Sequence, residues 1–189
     1  MHQRDYPVVP ASEHELALAA SRGERAAAEV LVDLTYKRVF ALLMRMSGDR
    51  DMAAELTQET YRRAWQALSS FRHGAQFSTW LYRIATNAYL NHLRRPHLVS
   101  PLDETVVANV SDRGPAPDEA AGAAELRGLL REAVLALPEE LRFTVVARYW
   151  GESSAREIAA AEGVSEVTVR KRLRRALAAL RLTLKGMSP

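Results

Sequence analysis

"SAREIAAAEGVSEVTVRKRLRRALAALR", residues 154–181, reads as two helices joined by a tight turn. The first is short and alanine-rich, from Ser154 to Glu162. Gly163 supplies the left-handed backbone the turn needs, and Ala159 and Ala160 let the two helices cross closely. Ser165 opens the second helix. Ile158, Val164, Val169 and Leu173 form a small core between the two, and Val169, Leu173, Ala176, Leu180 and Leu184 make one buried stripe along the second. Arg170, Lys171, Arg172, Arg174 and Arg175 cover the remainder, five basic residues in six positions. With no acidic neighbours expected at helical spacing, they repel one another until an anion arrives. The pattern is that of a helix-turn-helix, whose second helix enters the major groove of DNA. There arginine pairs bidentately with guanine, and lysine offers a point charge to guanine or phosphate.

Just upstream, residues 126–152 supply supporting helices split at Leu137 and Pro138. A proline followed by Glu139 and Glu140 is a helix start. Phe143, Val146, Tyr149 and Trp150 are expected to pack beneath the recognition helix. Residues 96–124 contrast with this, holding four prolines, an acidic excess and no helical period. They read as a flexible, extended acidic linker in which Val106, Val107 and Val110 are the candidates for docking.

Four helices precede the linker. Ser12 and Glu15 have capping-box spacing. The second helix closes at Gly48, with Leu31, Leu34, Val39, Leu42, Leu43 and Met46 on its buried side. The third spans residues 49–71, with an acidic first turn suited to the helix dipole. Met52, Leu56, Thr60 and Ala64 face inward on it, while Asp51, Glu55, Gln58, Glu59 and Arg62 face out. The fourth, "FSTWLYRIATNAYLNHLRR" at residues 77–95, is capped by Ser78 or Thr79 and ended by Pro96. Phe77, Leu81, Ile84 and Ala88 cluster as its core side, and Tyr82 and Tyr89 pack towards the first helices. Trp80, Arg83, Asn87, Asn91 and Arg94 form an adjacent strip that core packing does not explain. Aromatic faces stack on unpaired bases at roughly 1–3 kcal/mol each, and neighbouring arginines hold phosphates.

The expected fold is all-α, two small helical domains joined by a flexible acidic linker. The chain has 189 residues, 48% hydrophobic and 26% charged, which suits a soluble globular protein. It has no cysteine, which excludes disulfides and thiolate zinc sites and fits a reducing cytoplasm. No apolar run approaches the roughly 20 residues needed to span a bilayer, and the N-terminus lacks the pattern of a signal peptide. His73, His92 and His97 show no ligand spacing, so no metal or other cofactor is implied. A sequence pI near 9.4 leans towards anionic partners.

Residues 48–71 followed by residues 77–95 resemble region 2 of bacterial sigma-70-family factors of the extracytoplasmic-function group, and residues 137–181 are similar to region 4 of the same group. The resemblance implies an N-terminal tail (1–11), region 2 (12–95), a linker (96–124) and region 4 (125–186), the minimal two-domain type. It implies an alternative sigma factor that binds core RNA polymerase, directs it to specific promoters and nucleates melting of the −10 element, without catalytic residues of its own. Glu55, Leu56, Gln58, Glu59 and Arg62 match the stretch that docks on the β′ clamp helices, with Ala54 where the family commonly has an acidic residue. Phe77, Trp80, Arg83, Asn87, Asn91 and Arg94 match the −10 reader, Asn87 and the preceding turn lying at the pocket for an extruded base. Ser165, Thr168, Arg170, Lys171, Arg174 and Arg175 match the −35 reader. The supporting helices of region 4 would meet the polymerase, at the β flap. An anti-sigma factor covering both domains is implied as a partner, able to hold the chain at the membrane. For the linker, passage through the polymerase cleft and service as a plain tether both stay open.

A stand-alone helix-turn-helix regulator is the alternative, with a first domain that dimerises or senses a signal and a palindromic site. An enzyme acting on DNA needs clustered carboxylates or a nucleophile, and Asp49 with Asp51 is a poor candidate for either.

Overall fold

A computed structural model describes residues 12–71, 76–94 and 119–187, and among these every regular element is helical. The first domain holds α1 (Glu13–Ser21), α2 (Arg25–Ser47), α3 (Arg50–Ala67) and α4 (Phe77–Arg94), with a 3₁₀ turn at Leu68–Ser70. The second holds α5 (Glu119–Leu135), α6 (Glu139–Tyr149), α7 (Ala155–Glu162) and α8 (Glu166–Met187). The N-terminal tail and linker residues 95–118 lie outside the described residues.

Local chemistry sets most helix ends. Ser12 Oγ accepts from the Glu15 N–H at 3.2 Å, and Glu15 Oε2 accepts from the Ser12 N–H at 2.8 Å, a complete capping box. Gly48 ends α2 at φ +73, and the Asp49 carboxylate accepts from the Met52 N–H at 2.8 Å to begin α3. The start of α4 differs from expectation. Ser78 and Thr79 lie inside its first turn, and the Ser78 N–H donates to Glu13 of α1 at 3.2 Å. The cap comes from a distant helix, which local spacing does not reveal.

Leu31, Val39, Leu42, Leu43 and Met46 of α2 close on Ala53, Leu56 and Ala64 of α3 and on Phe77, Leu81 and Ala85 of α4. Leu34, expected on that face, is 47% exposed. The inward stripe passes through Thr35 instead, whose hydroxyl donates to the Leu31 carbonyl at 2.6 Å and lies 2.7 Å from the Tyr61 hydroxyl. A polar residue takes the core position because its hydrogen bonds are made there. Burial pushes the Tyr61 phenol up to about 12.

In the second domain α5 begins at Glu119 rather than Glu125, which corrects the reading of residues 119–124 as linker. "EAAGAAE" is a good helix former, but so uniformly small that no apolar period marks it. Ser154 and Glu157 form a second capping box, and Gly163 closes α7 at φ +72. Ile158, Val169, Ala176 and Leu180 are buried, with Val164, Leu173 and Leu184 half-buried against them. Tyr149 is 56% exposed and does not pack beneath α8. Trp150 lies against α2, the Arg45 guanidinium 5.5 Å from its ring centroid.

The reason is that α6 is covered on two sides. It packs against α8 on one and α2 on the other, so Phe143, Thr144, Val145, Val146 and Ala147 are all buried in succession. Phe143 stacks on Tyr89 of α4, centroids 6.1 Å apart and planes 11° from parallel. α5 also rests on α2, and α7 rests on α4. The two domains share one continuous core.

Candidate nucleic-acid interface

On α4, Arg83, Asn87, Asn91 and Arg94 are exposed along one face, as their spacing of three and four residues requires. Trp80 starts this strip half-buried, its ring centroid 5.5 Å from that of Phe71 and 5.6 Å from that of Phe77. Phe77 is 0% exposed, as its place on the core side of α4 predicts, and offers no surface of its own. The first turn of α4 dips into the bundle there, and Phe77 is the floor on which Trp80 rests.

Glu55, Gln58 and Arg62 of α3 point outward beside that strip. Leu56 is 4% exposed and belongs to the core, forming part of the floor of the groove between α3 and α4. A groove of about 450 Å³ runs between the two helices, lined by Glu55, Gln58, Glu59 and Arg62 from α3 and by Asn91 from α4. Glu59 is held by two arginines at once, Arg62 at 2.6 Å and Arg63 at 2.6 Å, which lower its carboxyl to about 2. Arg63 is a member of this cluster that the sequence reading misses, although its i,i+4 relation to Glu59 is a legible signal.

On α8, Arg170, Lys171, Arg174 and Arg175 are exposed. The expectation of no acidic neighbour fails at two of the five basic residues. Arg170 pairs with Glu166 at 2.8 Å, one turn back. Arg172 is turned inward, its side chain 18% exposed, bridging Glu140 of α6 at 2.8 Å and Glu162 of α7 at 2.7 Å. That residue binds the motif together. Burial raises the Glu162 carboxyl above its usual range, with Arg172 opposing the shift. Ser165 Oγ accepts from the Thr168 N–H at 3.1 Å and lies 2.9 Å from the Thr168 hydroxyl, so both side chains serve the start of α8.

Second-domain groups already meet the α4 face. Arg83 Nε lies 3.2 Å from Glu157, Thr79 Oγ1 donates to Glu152 at 2.5 Å, and Arg94 donates to the carbonyl of Ala161. Nothing in local sequence announces these contacts. Among the described residues no group of three or more His, Cys, Asp or Glu is placed to hold a metal, and no helix is long and apolar enough to cross a membrane.

The chain matches the family model for Sigma-70 region 2 over residues 31–97 and that for Sigma-70, region 4 over residues 127–180. The ECF RNA polymerase sigma factor SigW of Bacillus subtilis is 30% identical over 174 residues, 88% of this chain and 93% of that protein. The ECF RNA polymerase sigma-E factor of Escherichia coli is 33% identical over 168 residues, 84% of this chain and 87% of that protein. In fold, the chain is similar to the sigma factor RpoE of Bartonella quintana, solved in complex with the anti-sigma factor NepR. The TM-score is 0.59 at 22% identity, over 83% of this chain and 96% of that one. Matched in both regions and along most of its relatives' length, the chain belongs to the sigma-70 family of RNA polymerase sigma factors, in its extracytoplasmic-function group.

Proposed function

We propose that this chain is an alternative sigma factor working through three surfaces, with region 2 over 12–95 and region 4 over 119–186. Glu55, Gln58, Glu59 and Arg62 on α3 dock on the β′ clamp helices of core RNA polymerase, and the supporting helices of region 4 dock at the β flap. Lys171, Arg174 and Arg175, joined by Arg170, read the −35 element from the major groove, with Ser165 and Thr168 near phosphate at the start of α8. Arg83, Asn87, Asn91 and Arg94, beside a partly exposed Trp80, hold the unpaired −10 strand. The observation that carries the reading is this α4 face. Four polar side chains repeat at helical spacing over a buried aromatic floor, next to the α3 groove.

Two modest DNA contacts on one chain gain from effective concentration once the polymerase positions them. The chain supplies binding and strand separation, and the polymerase supplies the chemistry, in the cytoplasm. An anti-sigma protein is the natural regulator, in keeping with the Bartonella relative's own complex, and could tether the chain at a membrane.

Run-off transcription with purified core polymerase and promoter fragments tests this directly. Initiation should depend on the protein, and Asn87→Ala should reduce permanganate reactivity of the melted −10 strand roughly tenfold. That is the size expected for a base-edge hydrogen-bond contact of about 1–3 kcal/mol. Full melting by both Asn87→Ala and Arg83→Ala would remove α4 from −10 recognition.

A further inference from the structure

The −10 strip begins at the first turn of α4, and the local sequence leaves that turn without a cap. Gln76 stands at the capping position, its carbonyl accepting from the Trp80 N–H at 3.2 Å, and glutamine is not among the residues that cap well. The first turn of α4 also carries no acidic side chain to complement the helix dipole. Both needs are met from α1. Glu13 Oε2 accepts from the Ser78 N–H at 3.2 Å, at the second residue of the helix, where a local cap would bond. Its other oxygen, Oε1, accepts from Arg38 Nη2 of α2 at 2.6 Å. Arg38 in turn donates to the Leu34 carbonyl at 3.0 Å and faces the Tyr82 phenol of α4. One carboxylate, its side chain 25% exposed, thus ties α1 and α2 to the point where α4 begins.

The first turns of α1 and α4 line a common cleft of about 550 Å³, and Glu13 bridges it. His14, beside it, lies against Phe71 with ring centroids 5.8 Å apart. Phe71 is one of the two rings on which Trp80 rests. The first turn of α1 therefore supports Trp80 in two ways, through the floor beneath its ring and through the backbone of the turn that carries it. Trp80 opens the strip that Arg83, Asn87, Asn91 and Arg94 continue. A first turn whose N–H groups lack a partner frays. Trp80 would then leave the strip, while the rest of α4 stays packed on α2 and α3.

We propose that Glu13 is a positioning residue of the −10 reader, which caps α4 from α1 and so fixes the turn that presents Trp80 to the unpaired strand. The proposal rests on the α4 reading given above. Glu13 acts through the Ser78 N–H and touches no DNA itself, since Ser78 and Arg38 take both of its oxygens. Its loss should blunt discrimination along the −10 strand rather than weaken promoter binding as a whole, because Glu13 lies neither on the −35 helix nor in the α3 groove.

The test uses holoenzyme and promoter fragments whose −10 non-template strand is unpaired, either intact or abasic at one −10 position at a time. The ratio of the two affinities measures base reading. In Glu13→Ala that ratio should fall about fivefold at one or more positions, the scale of one lost helix cap. Glu13→Gln keeps an amide oxygen for the Ser78 N–H and should hold the ratio within about twofold of the unmodified chain. Tyr61→Phe weakens the same bundle by removing the hydroxyl that meets Thr35, and should leave the ratio unchanged. In the free chain, the Trp80 indole N–H resonance should move in Glu13→Ala and hold its place in Glu13→Gln. Should Glu13→Ala not fold, Glu13→Asp, one methylene short of Ser78, takes its place with the same expectation. The proposal is overturned if the shortened side chain reads bases normally, if Glu13→Gln loses as much as Glu13→Ala, or if Tyr61→Phe does. If the unmodified holoenzyme does not distinguish intact from abasic strands at any −10 position, the α4 reading itself falls and takes the proposal with it.

Discussion

Glu59 shows how a single carboxylate can be both surface and scaffold. Arg62 and Arg63 each lie 2.6 Å from it, so its charge is committed before any partner arrives. What the groove between α3 and α4 presents is therefore a carboxylate–guanidinium cluster rather than a bare acid. With the folded value lowered to about 2, Glu59 binds its proton less tightly when folded than when unfolded. The pairing therefore favours the fold above the unfolded value of about 4.3, and that contribution is lost as pH falls through about 2. A carbon-13 carboxyl titration should place the Glu59 midpoint near 2 and move it upward in both Arg62→Ala and Arg63→Ala. A midpoint in the ordinary glutamate range would mean that the pairs do not persist in solution. Phe77 and Leu56 are the converse cases, matched to family contact positions yet fully or almost fully buried.

At the scale of the element, α8 divides its basic residues between two tasks. Arg172 points inward to Glu140 and Glu162, while Arg174 and Arg175 point out. Removing Arg172 strands Glu162, whose Oε2 is already buried without a hydrogen-bond partner. Arg172→Ala should therefore lower stability to urea by about 1–3 kcal/mol. The loss should be smaller at pH 5 than at pH 8. Burial raises the folded Glu162 value, so the protonated form favours the fold at low pH and that benefit is lost as pH rises through the folded value. Arg174→Ala/Arg175→Ala should instead leave stability nearly unchanged. In holoenzyme it should reduce the salt slope of promoter binding by about 0.9 for each phosphate that is no longer neutralised. If both variants lose stability alike, the division of tasks is wrong.

The whole molecule couples its domains through α6, whose residues 143–147 are buried in succession between α8 and α2. Unfolding should reflect this. The indole N–H signals of Trp65 and Trp80 in the first domain and Trp150 in the second should disappear at one urea concentration. Tyr89→Phe keeps the ring on Phe143 but removes the hydroxyl near Met46 and Glu139, at a cost of about 1 kcal/mol. All three signals should shift together in that variant. Separate midpoints in the unmodified chain would show that the domains fold independently.

Helix identity, the capping box at Ser12, the turns at Gly48 and Gly163, and the α4 strip were legible in the sequence, because each depends on residues within a few positions of one another. So was the family, through two long motifs in order. The exposure of Leu34 and Tyr149, the inward turn of Arg172 and the early start of α5 were not. Periodicity says which residues share a face, but what covers that face depends on helices distant in the chain. The contact between α4 and α7 is the extreme case. Arg83 and Glu157 are ordinary surface charges in sequence, and only the tertiary structure places them 3.2 Å apart.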